Sequence, residues 1–317
     1  MTTILVAAVY SDELFAALKD QFPDHRLVRL PHGGEVPTDA SDASILLWCS
    51  DTNESLLRTL QMASDLKWIH SCTAGLDQLW DPQLAHSGIV VTRSAATSHI
   101  PVAEWAMACV LTLAKQLPKL ATMQKQHAWS APDPIELYGS TIGIVGSGAI
   151  GREVARRARG FGMNVLGLRR VPGELPEFDG VLGRSDLKEL LSTSDFVVLC
   201  CPLNRGTRSM IGWSELLVMK PSAYLVNVAR GELVVEDALV RALERDVIAG
   251  AALDVFAYEP LPPDHPLWSL PNVIITPHAA WRSPEVRVRG ITEFADNLRR
   301  YLSGEPLANV VDTHEFD

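Results

Sequence analysis

Short apolar runs alternate with polar stretches of helical spacing along the first hundred residues of the chain. Each run is bounded by Asp, Pro, Gly or Ser, which favour turns. The helix-like stretches cover residues 12–20 and 53–62. Strands that alternate with helices pair in parallel through right-handed crossovers, so this region predicts one α/β unit. The predicted strands cover residues 4–10, 25–31, 44–50, 66–72 and 89–95.

A long helical pattern from Pro101 to about His127 separates this unit from a second alternating set. Proline is tolerated at a helix start because its missing N–H is not needed there. A last helical stretch covers residues 284–302, and the proline-rich segments 171–178 and 258–267 are interpreted as surface loops. The second set is typical of a complete dinucleotide-binding sheet. Its predicted strands cover residues 141–146, 164–169, 195–200, 223–229, 248–255 and 273–276.

Composition narrows the class of protein. The chain has 317 residues, and ~150 residues per domain predicts about two domains. Its net charge of −10 repels phosphate backbones and anionic lipid, so we expect neither nucleic acid nor a membrane as partner. No apolar run reaches the ~18 residues that a membrane span needs.

The cysteines form no CxxC motif and lie in apolar segments, which predicts buried free thiols and a cytoplasmic location. They are Cys49, Cys72, Cys109, Cys200 and Cys201.

A glycine-rich motif follows the strand-like segment TIGIV and opens the helix-like segment REVARRARGFG. Its first glycine permits a tight turn, its second lets the backbone approach a pyrophosphate, and its third lets helix and strand pack closely. The helix N-terminus offers free N–H groups and a partial positive charge to the phosphates. The motif therefore predicts a dinucleotide site, with a ligand-free turn as the alternative. Its residues are Gly146, Ser147, Gly148, Ala149, Ile150 and Gly151.

Two arginines, Arg169 and Arg170, end the next predicted strand, eighteen positions after Gly151 for the first of them. An NAD-binding fold usually has an acid there, which accepts hydrogen bonds from the ribose hydroxyls. Guanidinium groups would instead hold a 2′-phosphate, so we predict NADP(H) as the preferred cofactor, with NAD(H) possible. The alternative is that these arginines are merely solvated, and Glu174 could still reach a ribose.

Three ionisable residues follow predicted strand ends in the second set: Arg230 in VNVARGE, Glu259 in DVFAYEP and His278 in TPHAA. Ligands of open α/β sheets bind outside the carboxyl ends of the strands, so these side chains would meet in one crevice. An imidazole can exchange a proton with a carbonyl or hydroxyl, a carboxylate can orient it, and a guanidinium can hold a substrate carboxylate. From spacing alone, a strand cap, a solvated loop and a turn histidine are equally good explanations.

Several separated motifs together resemble the D-isomer-specific 2-hydroxyacid dehydrogenase family, over nearly the whole chain and most densely from residue 142 to 280. The motifs are GSGAIG, CPLNRGTR, LVNVARGELV, AALDVFAYEP and NVIITPHAA. The resemblance implies that Arg230, Glu259 and His278 are catalytic. It also implies that Asp254 binds the nicotinamide carboxamide. Further residues that it assigns to the cofactor site are Pro202, Thr207, Val228, Ala229 and Ala280.

The segment SCTAGLDQL in the first unit resembles the loop with which the family binds the substrate carboxylate. The resemblance implies that Ala74 and Gly75 present backbone N–H groups, although a plain turn is the alternative. Trp48, at another strand end, is either a wall of the substrate pocket or a core residue. SHIPVAEW matches the entry into the interdomain helix, which makes Glu104 structural.

We therefore predict an α/β fold with two doubly wound parallel-sheet domains. A Rossmann cofactor domain at 101–284 is inserted in a flavodoxin-like substrate domain formed by 1–100 and 285–317. The expected reaction reduces a small 2-keto acid, such as glyoxylate or hydroxypyruvate, to the D-2-hydroxy acid, and no metal takes part. Family members are usually homodimers. Two alternatives stay open, namely a dehydrogenase of another small anion of the phosphite type and a dinucleotide-sensing corepressor without enzymatic activity.

Overall fold

The computed structural model describes residues 1–49, 53–73, 75, 84, 86–95, 97–130 and 132–311. The chain divides into two compact units. Unit 1 comprises residues 1–98 and 283–317, and unit 2 comprises residues 99–282. Each unit is built around its own parallel sheet.

The sheet of unit 1 has the strand order β2-β1-β3-β4-β5, and all its strands are parallel. This is the flavodoxin-like order of a doubly wound sheet. Helices α1 (Asp12–Gln21) and α2 (Asn53–Met62) connect strands, and the last helix, α9 (Pro284–Ser303), belongs to the same unit. The strands are β1 (Thr3–Ala7), β2 (Arg26–Leu30), β3 (Ile45–Trp48), β4 (Trp68–Ser71) and β5 (Val90–Arg93).

An aromatic stack joins α9 to the sheet of unit 1. The fully buried ring of Trp68 on β4 lies 5.4 Å from that of Phe294 and 5.2 Å from that of Tyr301, both nearly parallel to it. The indole N–H of Trp68 donates to Oγ1 of Thr92 at 2.8 Å, so its polar atom is satisfied inside the core. This packing attaches a helix from the end of the chain to strands from its beginning.

Two of the five cysteines form a disulfide, which corrects the prediction of free thiols. Strands β3 and β4 pair in parallel with Trp48 opposite Ser71, so the residues that follow, Cys49 and Cys72, lie side by side. Their Cα atoms are 5.1 Å apart, within the range that a disulfide can bridge. The prediction of a cytoplasmic location therefore loses two of the free thiols that supported it. The free cysteines are Cys109, Cys200 and Cys201.

The sheet of unit 2 has seven parallel strands in the order β12-β11-β10-β9-β6-β7-β8. Read from the β8 edge, this is the Rossmann order 3-2-1-4-5-6 with one strand added. The two sheets confirm the predicted fold class. The strands are β6 (Thr141–Val145), β7 (Asn164–Leu168), β8 (Gly180–Leu182), β9 (Phe196–Leu199), β10 (Tyr224–Asn227), β11 (Gly250–Leu253) and β12 (Val273–Ile275).

The long helix predicted from Pro101 is two helices, because Gln116 has a left-handed φ of 50° between them. These are α3 (His99–Ala114) and α4 (Leu117–Lys125). No single helix in the described ranges is long and apolar enough to cross a membrane. The pair α3–α4 has the length and composition but is bent by 59°, and more than half of α3 is buried in protein. The other helices of unit 2 are α5 (Ala149–Gly160), α6 (Leu187–Thr193), α7 (Trp213–Leu216) and α8 (Glu236–Glu244).

Candidate active site

The predicted glycine motif forms a turn between β6 and α5, at the point where the strand order of the sheet reverses. Gly146 has a φ of +107°, and a Cβ there would lie 2.6 Å from the amide nitrogen of Cys201. A Cβ on Gly151 would lie 2.0 Å from the carbonyl oxygen of Gly146. No other residue type fits either position without displacing backbone.

The first turn of α5 is open to an anion. Gly148 caps the helix without a side-chain hydrogen bond, and both Gly148 and Ala149 are exposed. Ile150 is half-buried, and the hydroxyl of Ser147 donates to the carbonyl of Leu168 at 3.4 Å. The free N–H groups and the positive end of the helix face the position where a pyrophosphate binds in Rossmann folds. A Cβ on Gly148 would meet no protein atom within 4 Å, so this first turn, which has no side-chain cap, leaves room that fits a nicotinamide dinucleotide.

Arg169 and Arg170 follow β7 and are both exposed. Within the described ranges, no hydrogen bond or ion pair of either guanidinium group is found. The arginines of α5 differ, because Arg152 and Arg156 donate to the buried carboxylate of Glu177 at 2.9 and 3.0 Å. The hydrogen bond from Arg152, with smaller contributions from Arg156, keeps the pKa of Glu177 below its ordinary value despite burial. The α5 arginines are thus committed to a carboxylate, whereas the strand-end pair remains available for an anion.

Thr207 uses its hydroxyl to shape the loop after β9. It donates to the carbonyl of Pro202 at 2.7 Å and accepts from the N–H of Asn204 at 2.9 Å. The resemblance assigns Pro202 and Thr207 to the cofactor site, and the structure places them together in one hydrogen-bonded turn. Val228 and Ala229, after β10, are both buried.

Arg230 follows β10 in a segment that a neighbouring amide side chain fixes. The buried Asn227 donates from Nδ2 to the carbonyl of Arg230 at 2.8 Å and accepts from the N–H of Ala229 at 3.1 Å. The guanidinium group of Arg230 donates to the carbonyl of Ala229 at 2.7 Å. Sequence reasoning did not single out Asn227, because its role depends on a turn that only the structure shows.

Glu259 and His278 form a hydrogen-bonded pair. Oε2 of Glu259 lies 2.7 Å from Nδ1 of His278, and Oε1 accepts the backbone N–H of Phe256 at 3.0 Å. The two side chains are 31% and 32% exposed, so solvent and a ligand can reach them. Burial raises the pKa of Glu259, but its hydrogen bonds and the positive charges of His278 and Arg230 outweigh burial and lower it below its ordinary value. The carboxylate therefore stays ionised beside the imidazole in neutral and mildly acidic solution.

Asp254 organises the loop that carries His278. Its buried carboxylate accepts from the hydroxyl of Thr276 at 2.6 Å and from the N–H groups of Ala279 and Ala280, both at 2.9 Å. The loop holds His278 at a φ of +47°, which a non-glycine residue adopts only when its surroundings impose it. The structure thus gives Asp254 three partners within the protein, beyond the cofactor contact that the resemblance implies.

The predicted site residues of unit 1 have mixed outcomes. Trp48 is 1% exposed and packs in a hydrophobic cluster, which is the core alternative left open by the sequence. Gly75 accepts a hydrogen bond from the hydroxyl of Thr73 at 2.9 Å in the turn after β4. Ala74 lies outside the described residues. In unit 2, the Glu104 carboxylate pairs with Arg157 at 3.3 Å.

The second unit therefore combines an anion cradle at a Rossmann switch point with a carboxylate–imidazole pair and a nearby guanidinium group. These features define a nicotinamide-dinucleotide-binding oxidoreductase. The model of the D-isomer specific 2-hydroxyacid dehydrogenase NAD-binding domain matches residues 107–280. The chain belongs to this family.

Curated relatives agree with the family. A glyoxylate reductase from Korarchaeum cryptofilum is 38% identical over 80% of this chain and 78% of its own length. A D-3-phosphoglycerate dehydrogenase from Methanocaldococcus jannaschii is also 38% identical over 86% of this chain, which spans about half (52%) of that longer protein.

Solved structures of similar proteins hold both kinds of cofactor. A D-isomer specific 2-hydroxyacid dehydrogenase family protein from Aeromonas salmonicida matches with a TM-score of 0.88 at 32% identity, over 98% of this chain and 99% of that chain. An NADPH-dependent glyoxylate/hydroxypyruvate reductase from Sinorhizobium meliloti, solved with NADP and sulfate, matches at 0.84 and 25% identity over 99% of both chains. A D-lactate dehydrogenase from Aquifex aeolicus, solved with NAD and lactic acid, matches at 0.79 and 30% identity over 95% and 96%.

Proposed function

We propose that this protein reduces a small 2-keto acid to the corresponding D-2-hydroxy acid at the expense of NADPH. The observation that carries the proposal is the 2.7 Å contact between Glu259 and His278, with the charge of Arg230 acting on the same carboxylate. A ketone that gains a hydride develops negative charge on its oxygen, and a proton donor beside that oxygen lowers the barrier.

The hydrogen bond to Glu259 determines which nitrogen of His278 serves the substrate. Because Nδ1 points at the carboxylate, Nε2 is the nitrogen left to donate a proton to the carbonyl oxygen. The hydrogen bond to Glu259 also fixes the orientation of the ring. Arg230 would hold the substrate carboxylate through paired N–H groups. The nicotinamide dinucleotide, when bound at the glycine turn, supplies the hydride.

The preference for NADP(H) is proposed from Arg169 and Arg170. Both arginines are exposed and follow the end of β7, the strand that pairs with β6 before the glycine turn. In Rossmann folds the adenine ribose lies at this strand end. Charge-assisted hydrogen bonds from arginine suit a 2′-phosphate better than a free hydroxyl. The NADP complex of the Sinorhizobium meliloti reductase supports this proposal, whereas the NAD complex of the Aquifex aeolicus enzyme leaves NAD as a second cofactor.

Glyoxylate and hydroxypyruvate are the proposed substrates because relatives are named for reducing them. Unit 2 would act as the cofactor domain and unit 1 as the substrate domain. The resemblance assigns Gly75, which lies in a turn fixed by Thr73, to binding a carboxylate through its N–H.

Initial-rate assays test the proposal. The purified protein is mixed with NADPH or NADH and with glyoxylate, hydroxypyruvate or pyruvate, and consumption of the reduced cofactor is followed optically. We expect turnover of about 1–10³ s⁻¹ with at least one keto acid, a higher kcat/KM with NADPH, and a D-configured product where the product is chiral. A parallel assay mixes phosphite with NAD⁺ or NADP⁺. Reduction of either cofactor by phosphite with no keto-acid reduction, or tight cofactor binding without any turnover, would overturn the proposal in favour of the phosphite-type enzyme or the corepressor.

A further inference from the structure

One carboxylate from α8 holds the loop between β11 and β12 on both sides of Glu259. Glu236 is the first residue of α8. Its Oε2 accepts the backbone N–H of Ala257 at 3.2 Å, and its Oε1 lies 3.2 Å from Nε2 of His265. Ala257 lies two residues before Glu259 and His265 lies six residues after it. A single side chain therefore ties together the two ends of the segment that presents Glu259.

The hydrogen bonds of His265 assign its proton. Nδ1 accepts the backbone N–H of Leu267 at 3.3 Å, so that nitrogen carries no hydrogen. The proton of the neutral ring is therefore on Nε2, from which it is donated to Glu236. Two donors, the Ala257 amide and the His265 ring, converge on Glu236. A carboxylate satisfies both because each of its oxygens accepts, whereas the amide of a glutamine has only one accepting atom.

The same loop is packed against the segment that carries Arg230. A Cβ on Gly231 would lie 1.9 Å from the carbonyl carbon of Phe256 and 2.3 Å from the amide nitrogen of Ala257, so only glycine fits there. Phe256 donates its own N–H to Glu259 at 3.0 Å. The backbone that Glu236 holds is therefore the surface against which both Arg230 and Glu259 are placed.

We propose that Glu236, together with His265, is a positioning residue for the Glu259–His278 pair. Among the described residues, neither side chain has a hydrogen bond or ion pair with His278; both act through the loop whose Glu259 carboxylate lies 2.7 Å from that ring. The inference rests on the proposed function, because it concerns the efficiency of the same proton transfer. A displacement of a catalytic group by about 1 Å can lower the reaction rate by about 100-fold.

Replacement of Glu236 by glutamine tests this role. E236Q keeps the size of the side chain but sets an amide N–H against one of the two donors. We expect kcat to fall by about ten-fold or more, since misalignment costs rate. The Kd for NADPH and the Tm should stay unchanged, which a general loss of structure would not allow. The matched control is D237N, because Asp237 is the adjacent, exposed acid of the same helix turn, and it should keep the wild-type kcat.

A double-mutant cycle with E259Q separates action through Glu259 from an independent effect. If Glu236 acts through that carboxylate, E236Q lowers kcat by less than about two-fold in the E259Q background. If the loss of kcat in the double variant equals the product of the losses in E236Q and E259Q, the inference is overturned. If E236Q does not fold, H265Q decides, because it removes the ring that bonds Glu236 and leaves the contact between Glu236 and Ala257 in place. It should lower kcat with unchanged Kd for NADPH, and a wild-type kcat would overturn the inference.

The same cycle distinguishes this inference from the proposed function. A wild-type kcat in E259Q would defeat the proposed function itself. A large loss in E259Q combined with none in E236Q would leave the proposed function intact and defeat only the role of Glu236.

Discussion

Two histidines, each near the carboxyl end of a strand in one of the two units, have opposite surroundings. In unit 2, His278 is 32% exposed and pairs with the carboxylate of Glu259 at 2.7 Å. In unit 1, His70 on β4 is 0% exposed, and its ring nitrogens meet only hydroxyls, Thr92 Oγ1 at 2.8 Å and Ser94 Oγ at 3.0 Å. Burial lowers the pKa of His70 to about 4. The first environment favours a ring that exchanges protons, and the second favours a ring that stays neutral.

The contrast extends to the neighbouring groups. The strand ends of unit 2 carry charged side chains that solvent reaches, whereas unit 1 joins two of its strand ends by the Cys49–Cys72 disulfide. Two doubly wound parallel sheets therefore differ at their strand ends, with exposed ionisable groups in one unit and an internal covalent bond in the other. A fold does not determine function; the residues at its strand ends do.

The largest expected effect comes from replacing His278 by alanine. Loss of a positioned proton donor should lower kcat by about 10²- to 10⁴-fold. The Kd for NADPH, measured by fluorescence titration, should change little because the glycine turn is untouched. If the variant turned over keto acid like the wild type, the contrast between the two histidines would lose its functional meaning.

The disulfide should contribute strongly to the stability of unit 1. Cross-linking residues 23 positions apart restricts the unfolded chain, which corresponds to about 3 kcal/mol in the chain-entropy description. A reductant should therefore lower the free energy of unfolding of unit 1 in a denaturant titration. Cys49→Ser provides the control, because it should respond to the reductant no further. Identical unfolding curves with and without reductant would show that the bond makes no such contribution.

Stability should also depend on pH through His70. The unfolded histidine titrates near 6.5 and the folded one near 4, so between these values only the unfolded state takes up the proton. Unit 1 should therefore lose about 3 kcal/mol of stability as the pH falls from 6.5 to 4. In His70→Gln this part of the pH dependence should vanish. An unchanged slope in the variant would assign the dependence to other groups.

The smallest expected effect concerns cofactor choice. Arg169→Asp removes a guanidinium group and adds a repelling carboxylate, which should weaken NADPH binding by about 10- to 100-fold. NADH lacks the 2′-phosphate and serves as the internal control, so its Kd should stay the same or improve. Equal weakening of both cofactors would mean that Arg169 supports the fold of the loop and does not read the phosphate.

Patterning along the chain was sufficient for most of the fold. Parallel strands buried on both faces are continuous apolar runs, and such runs are visible without a structure. β8 was missed because Gly180–Leu182 is short and only half-buried, behind a proline-rich stretch. The break at Gln116 was missed because the apolar spacing continues across it, while the left-handed backbone has no signal in a residue other than glycine.

The candidate site was only partly predictable. Motifs placed Arg230, Glu259 and His278 after strand ends, and the parallel topology brings the last two into contact. Two residues that hold loops were not predictable. Asn227 bonds backbone groups of its own turn, whose conformation the local spacing does not show, and Glu236 bonds the backbone of Ala257, 21 residues further along the chain.

The most direct test of the account is the turnover of Glu259→Gln with glyoxylate and NADPH, measured beside the wild type and combined with the Kd for NADPH. We expect the wild type to consume NADPH at about 1–10³ s⁻¹. In the variant, kcat should fall by about 100-fold or more at an unchanged Kd, because the ring of His278 loses its ionised partner. A variant that turns over glyoxylate as fast as the wild type would contradict this role of Glu259. A wild type that consumes no NADPH with any of the 2-keto acids would contradict the proposed reaction itself.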